Sequence, residues 1–294
     1  MRFYSEHYPQ LRLLFVPLLA RFHDTFSIMM PNRALSSCIA LIAGLVMGNA
    51  FSFELALFGS LMIIATYSSQ AVYNNIRDVE GDRINAPHRP LARGSLTVDF
   101  AWGLLGFLVL CGFAFAVLAG PFFLLANMMF ISVGFIYSRY TKSMGLLSYA
   151  TLVSSHLVLP LVVGYLVMNP LDYKILAIAA FIYITEILAI SIKDYKDFEG
   201  DRATGIKTLP VRMGLENASR LTFVGMLLPL FLSWIPWALL NLSVVFLVFY
   251  MASGLLKMHM GARLVKDPTP SVAGNILKNY RYALMLQMFA WCFS

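Results

Sequence analysis

Apolar positions along this chain are gathered into stretches close to the ~20 residues that a helix needs to cross a hydrocarbon core, and the charged positions fall between them. Hydropathy places nine spans, at roughly 30–50, 53–74, 98–118, 121–138, 146–168, 173–192, 219–237, 240–258 and 276–294. Trp234-Ile-Pro-Trp237 marks the junction of the seventh and eighth. The ninth is short and begins among charges, so it must lean on its neighbours. Ahead of the first span, residues 1–29 carry charges throughout, unlike a cleavable signal. Residues 11–26 read as an amphipathic helix lying on the membrane surface.

Composition agrees with this pattern. The chain has 294 residues, of which 59% are hydrophobic and only 13% charged, whereas a soluble domain carries roughly 25% charge to cover its surface. Its mean hydropathy is +0.73. The expected fold is an all-α membrane protein, with about nine transmembrane helices in one domain over residues 1–294. The three cysteines, Cys38, Cys111 and Cys292, all lie in apolar runs without paired spacing and read as small buried hydrophobes.

Sorting the basic residues by side gives an orientation. With nine spans, 21 of the 22 Lys and Arg residues fall on one face, and Lys174 alone falls on the other. The positive-inside rule makes the charged face cytoplasmic. A basic rim of this kind accounts for the net charge of +7 without any nucleic acid partner. Attraction for an anionic substrate or for lipid headgroups stays open as a second contribution.

One motif occurs twice. Asn74-Asn-Ile-Arg-Asp-Val-Glu-Gly-Asp-Arg83 and Lys193-Asp-Tyr-Lys-Asp-Phe-Glu-Gly-Asp-Arg202 share five residues at an offset of 119. Both copies stand at the same end of an apolar span, the second and the sixth, so the repeat is parallel. The loops at 74–96 and 193–218 would then be cytoplasmic caps. On a continuous helix Asn74, Asp78 and Asp82 form one stripe, Asp197 and Asp201 repeat it, and Glu186 and Asp194 fall near the same face. The glycine before the last Asp of each motif is expected to loosen the helix there. Carboxylates this close need compensating cations or protons. Mg²⁺ suits the pattern, because it takes oxygen ligands and joins one or two carboxylates to substrate phosphates. The interspersed arginines and lysines can take the remaining phosphate oxygens.

These residues resemble the UbiA superfamily of intramembrane prenyltransferases. The first signature, Asn-Asp-x-x-Asp-x-x-x-Asp, matches Asn74 to Asp82, with Asn75 standing where Asp is usual. Asn85-Ala-Pro-His-Arg-Pro-Leu-Ala-Arg-Gly94 is similar to the continuation, and the second signature matches Asp197 to Val211. Tyr137-Ser-Arg-Tyr-Thr-Lys142 is similar to a third family motif. Where the family often has Arg-Pro near the first span, this chain has Met30-Pro31, with Arg33 two residues later.

The resemblance implies a central cavity under cytoplasmic caps and an apolar tunnel for an isoprenyl tail. By position it makes Asn74, Asp78, Asp82, Asp197 and Asp201 the catalytic Mg²⁺–diphosphate residues, with the four aspartates as metal ligands. Arg77, Lys142, Arg202 and Tyr137 become candidates for the diphosphate. Glu186, Asp194 and His156 are candidates for the acceptor or for support of the site, against structural roles in helix packing. The reaction implied is transfer of an isoprenyl group, from a donor such as geranylgeranyl diphosphate, to a hydrophobic or phosphate-bearing acceptor among membrane lipids. Geranylgeranylglyceryl phosphate of archaeal lipid synthesis and an aromatic quinone precursor are the two acceptors in view. An ion-coupled transporter is the alternative, since intramembrane carboxylates also mark ion paths. Their clustering at span ends beside Arg and Lys, rather than at the midplane, favours the enzyme.

Overall fold

The computed structural model of the protein describes residues 9–294, so the first eight residues of the expected N-terminal segment lie outside the described residues. Regular structure among them is helical throughout. The helices are α1 (Pro9–Met29), α2 (Leu35–Met47), α3 (Phe53–Arg77), α4 (Val79–Asn85), α5 (Val98–Ala119), α6 (Pro121–Arg139), α7 (Leu146–Val153), α8 (Leu159–Leu166) and α9 (Tyr173–Glu186). They continue with α10 (Phe198–Ala203), α11 (Leu209–Met213), α12 (Leu215–Leu232), α13 (Trp234–Leu239), α14 (Val244–Lys266) and α15 (Pro270–Ala290). A π-helical turn, Ser154–Val158, joins α7 to α8, and a 3₁₀ segment, Ala189–Asp197, follows α9.

Seven helical stretches among the described residues are long and apolar enough to cross a bilayer. They are Leu18–Met47, Phe53–Arg77, Val98–Ala119, Pro121–Arg139, Leu146–Leu166, Leu215–Leu239 and Val244–Lys266. Tyr173–Glu186 and Ala189–Ala203, bent by 42° at their junction, are long and apolar enough for an eighth only when taken together as one span. The ninth expected span corresponds to α15, which falls short on apolar character because it carries Lys278, Arg281 and Gln287. Its polar side is used inside the bundle: Gln287 and Tyr280 are buried. The tryptophan-rich junction of the seventh and eighth spans is helical (α13), and the turn comes after it, at residues 240–243.

The first stretch is broken near its middle. Met30 adopts the left-handed conformation (φ 49°, ψ 43°) and Pro31 opens the next turn, which separates α1 from α2. On α1, Leu18, Leu19, Phe22 and Phe26 are exposed, while Asp24 and Ile28 are buried against the rest of the protein.

Small residues set the closest helix crossing. A Cβ on Gly44 of α2 would lie 2.0 Å from the Leu161 carbonyl oxygen, and one on Gly164 of α8 would lie 2.4 Å from that of Leu41. In a bilayer, where lipid tails are as apolar as leucine, such backbone approach is a main source of helix association. Lys257, counted above with the basic rim, is instead fully buried within α14, where an acidic partner compensates its charge.

Candidate functional site

The two motifs are alike in backbone as well as in sequence. Asp78 closes α3 at φ −94°, ψ 3°, and Asp197 closes the 3₁₀ segment at φ −102°, ψ 8°. Each is followed at once by a short helix, α4 or α10, and these two helices pack on each other. The helix is therefore interrupted at the first aspartate that the two motifs share, Asp78 and Asp197. It is not loosened at Gly81 or Gly200, which lie inside α4 and α10. The four-residue pitch survives the break, because Asp78 N donates to Asn74 O (2.9 Å) and Asp82 N to Asp78 O (2.8 Å).

Between the motifs lies a cavity of about 230 Å³ lined by Arg77, Asp78, Glu80, Gly81, Asp82, Lys142, Asp197, Asp201, Thr204 and Ile206. Both halves of the repeat contribute, as the spacing implied. Five of these side chains are acidic and two are basic, a formal charge of −3 at neutral pH. Each motif also holds basic partners. Lys142 Nζ donates to Asp78 Oδ1 (2.6 Å), and Asn74 Nδ2 donates to Asp78 Oδ2 (2.7 Å). Arg89 Nη1 donates to Asp82 Oδ1 (2.5 Å), Lys196 Nζ donates to Asp197 Oδ2 (2.5 Å), and Lys193 pairs with Asp194.

Burial holds the Asp82 carboxyl above its ordinary pKa, although Arg89 pulls the other way. Burial would lower Lys142, but Asp78 beside it outweighs that and raises its pKa. Arg89 behaves alike, with Asp82 overcoming the cost of burial.

The residues present fit a divalent cation shared with a ligand. The Asn74 side-chain oxygen is buried and accepts no hydrogen bond, leaving a carbonyl-type donor atom next to the Asp78 carboxylate. Among the described residues no three His, Cys, Asp or Glu side chains are gathered as a ready ligand set. Mg²⁺ usually takes one or two carboxylates and fills its octahedron with water and phosphate oxygens.

The remaining candidates separate. Arg202 is exposed and does not line the cavity. Tyr137 also stands off it, with its ring 5.5 Å from Lys193 Nζ. Asp194 is buried and accepts from Tyr149 OH (2.7 Å), which in turn accepts from Leu209 N (3.3 Å). His156 lies in the π-helical turn, beside Ser155 Oγ (2.6 Å) and edge-on to Tyr67 at 4.9 Å. Glu186 is fully buried and accepts from Lys257, Gln287 and Tyr280, which is the structural alternative for that residue. Arg89 and Lys196, which pair with Asp82 and Asp197, were not singled out from the sequence, although Arg89 lies in the segment similar to the family's continuation and Lys196 within the second motif.

Known proteins resemble this chain in sequence and in fold. Residues 34–292 match the model of the UbiA prenyltransferase family. A digeranylgeranylglyceryl phosphate synthase of Thermococcus sibiricus is 27% identical over 85% of this chain and 91% of that protein. Another, from Methanosphaera stadtmanae, is 26% identical over 88% of this chain and 94% of that protein. The fold is shared with a UbiA homolog from Archaeoglobus fulgidus, solved bound to DMAPP and Mg²⁺. The TM-score is 0.64 at 18% identity, over 89% of this chain and 99% of that one.

Proposed function

The chain belongs to the UbiA prenyltransferase family, and from that premise we propose that it uses Mg²⁺ to transfer an isoprenyl group to geranylgeranylglyceryl phosphate. It is an integral membrane prenyltransferase. The acceptor, the metal-holding residues and the side of the membrane are our reading. So is a single catalytic domain over residues 1–294, with the exposed apolar side of α1 lying on the membrane surface.

The observation that carries the reading is the charge of the cavity. Five carboxylates crowd one cavity, with Arg77 and Lys142 in its lining and Arg89 and Lys196 paired to its aspartates, and divalent cations entering with an isoprenyl diphosphate would bridge those carboxylates to its phosphate oxygens. Asn74, Asp78, Asp82, Asp197 and Asp201 would hold those cations. When bound, Mg²⁺ supplies positive charge to the oxygens of the departing diphosphate, as a Lewis acid.

The protein's own groups do the rest. Arg77 and Lys142 line the cavity, and Arg89 and Lys196 stand on its aspartates, so four basic side chains are within reach of the phosphate oxygens. As the allylic carbon–oxygen bond breaks, its electron pair leaves with the diphosphate. A hydroxyl oxygen of the acceptor forms the new carbon–oxygen bond, and its proton passes to the released diphosphate. The allylic cation would have to be kept from water, which would otherwise capture it as an alcohol.

Geranylgeranylglyceryl phosphate is the acceptor that the relatives' names support. An aromatic quinone precursor and an ion-coupled transporter have no comparable support. The excess of basic residues at this end supports a cytoplasmic site by the positive-inside rule. The test is product analysis with purified protein in lipid and labelled geranylgeranyl diphosphate, offered either geranylgeranylglyceryl phosphate or 4-hydroxybenzoate, with Mg²⁺ or EDTA. A digeranylgeranylated product made only with Mg²⁺ is expected. Prenylation of the benzoate alone would overturn the acceptor assignment.

A further inference from the structure

Arg89 stands between the two acidic motifs. Its Nη1 donates to Asp82 Oδ1 of the first, and its Nη2 lies 3.9 Å from Asp197 Oδ1 of the second. The segment that carries it, residues 86–97, forms no helix and turns through a few backbone bonds, such as Arg93 N to Arg89 O and Leu96 N to Pro90 O. A loop held only in this way would leave the guanidinium many positions to sample, and each is lost at a cost when a ligand binds.

Helix α1 supplies the missing restraint. Arg93 Nη2 donates to both carboxylate oxygens of Asp24, at 2.6 and 2.7 Å, and Ser95 Oγ donates to Asp24 Oδ2 at 2.6 Å. Asp24 is 5% exposed while Arg93 keeps 47% of its side chain exposed, so the pair sits at the edge of the protein and its two-oxygen geometry, rather than burial, fixes it. One turn on, buried Ile28 packs with Val72 of α3 and with Leu91 and Leu96 of the loop. Asn75 of α3 closes the arrangement, its Nδ2 donating to the Ile28 carbonyl (3.3 Å) and to Ala71 O (2.8 Å). Asn75 is the position where the first signature usually has Asp. A carboxylate there has no proton for the Ile28 carbonyl and would face it oxygen to oxygen.

We propose that the Asp24–Ile28 turn of α1 is a clamp that positions Arg89 on the donor's diphosphate. Asp24, Arg93 and Asn75 are then positioning residues for donor binding, although none of them lines the cavity. The proposal rests on the reading of that cavity as the diphosphate site. It assigns the departure at residue 75 to the docking of α1.

The test uses the full-length protein in lipid. Donor binding is read with geranylgeranyl thiodiphosphate and Mg²⁺, beside steady-state kinetics for both substrates and the thermal midpoint. Asp24→Asn is expected to weaken donor binding and raise the donor KM about tenfold, with kcat and the acceptor KM little changed. The exchange Asp24→Arg with Arg93→Asp restores the ion pair and should recover most of the loss. Asn75→Asp should weaken donor binding in the same direction. In an Arg89→Gln background Asp24→Asn should have no further effect on donor KM, because the clamp acts through Arg89.

Additive losses in that double variant, or equal rises in both KM values, would overturn the clamp, as would tighter donor binding by Asn75→Asp. A wild-type protein that failed to bind the thiodiphosphate would remove the site reading itself. Wild-type binding with an indifferent Asp24→Asn would remove only the clamp.

Discussion

Lys257 and Glu186 share an ion pair of 2.5 Å at a place in the bundle where neither side chain has any exposure. Glu186 is the last residue of α9, just before the span bends, and Lys257 comes from α14. Gln287 Nε2 adds a hydrogen bond to Glu186 Oε1 and Tyr280 OH one to Oε2, both 2.7 Å, so α15 is tied in as well. Breaking a buried pair from one side leaves an uncompensated charge, at a cost of about 3–5 kcal/mol. Lys257→Met should therefore lower the thermal midpoint sharply, and adding Glu186→Leu should restore most of it. If the single variant melted with the wild type, the pair would not be holding the three helices together.

The crossing of α2 and α8 has no room for a methyl group. Gly44→Ala would put a Cβ 2.0 Å from the Leu161 carbonyl oxygen, so the helices must separate. Overpacking of this kind typically costs about 1–3 kcal/mol. Gly274→Ala, at a position with nothing within 4 Å of the added Cβ, is the control. Thermal melts of the two variants in detergent should rank Gly44→Ala well below Gly274→Ala. Equal midpoints would contradict the close approach.

Removing Asp78 or Asp197 should abolish the reaction with little effect on folding, since both side chains face the cavity. A loss of at least 10²–10³ in kcat is the scale seen when one charge-stabilising group leaves an active site. Binding of geranylgeranyl thiodiphosphate should need Mg²⁺ in the wild type and should be weak in Asp78→Ala with or without the metal. Protection against heat by donor plus Mg²⁺, amounting to ~2.7 kcal/mol at a hundredfold excess over Kd, provides a readout independent of turnover. Protection unchanged by EDTA would argue against a metal-held diphosphate.

The acid limb of activity should respond to Arg89. Burial raises the Asp82 carboxyl above its ordinary pKa, and Arg89 partly offsets this. A carboxylate that must be ionised to bind cation loses function as pH falls through its raised pKa. Arg89→Gln removes the offsetting charge, so the limb of kcat/KM should move to higher pH. Arg89→Lys should leave it nearer the wild type. A limb that did not move, or moved to lower pH, would show that Asp82 does not control it.

Much of this protein was legible one segment at a time. Apolar stretches in the sequence announce a membrane-spanning helical bundle, because the bilayer asks only for length and apolar character, which are local properties. The duplicated motif likewise places Asp78, Asp82, Asp197 and Asp201 at equivalent helix ends, and all four line one cavity. A four-residue spacing, however, does not say whether the helix is continuous, and the interruptions at Asp78 and Asp197 appear only in the folded backbone. Nor does a basic residue name its partner. Lys257 looked like part of the charged rim and is buried on Glu186, while Arg202 ends an acidic motif and yet is exposed and outside the cavity lining. Asn75, standing where the first signature usually has Asp, is a hydrogen-bond donor to α1. These assignments depend on residues 47 to 71 positions apart meeting in space. The sequence by itself determined which elements form and what chemistry they carry; helix packing alone decided which charges face one another.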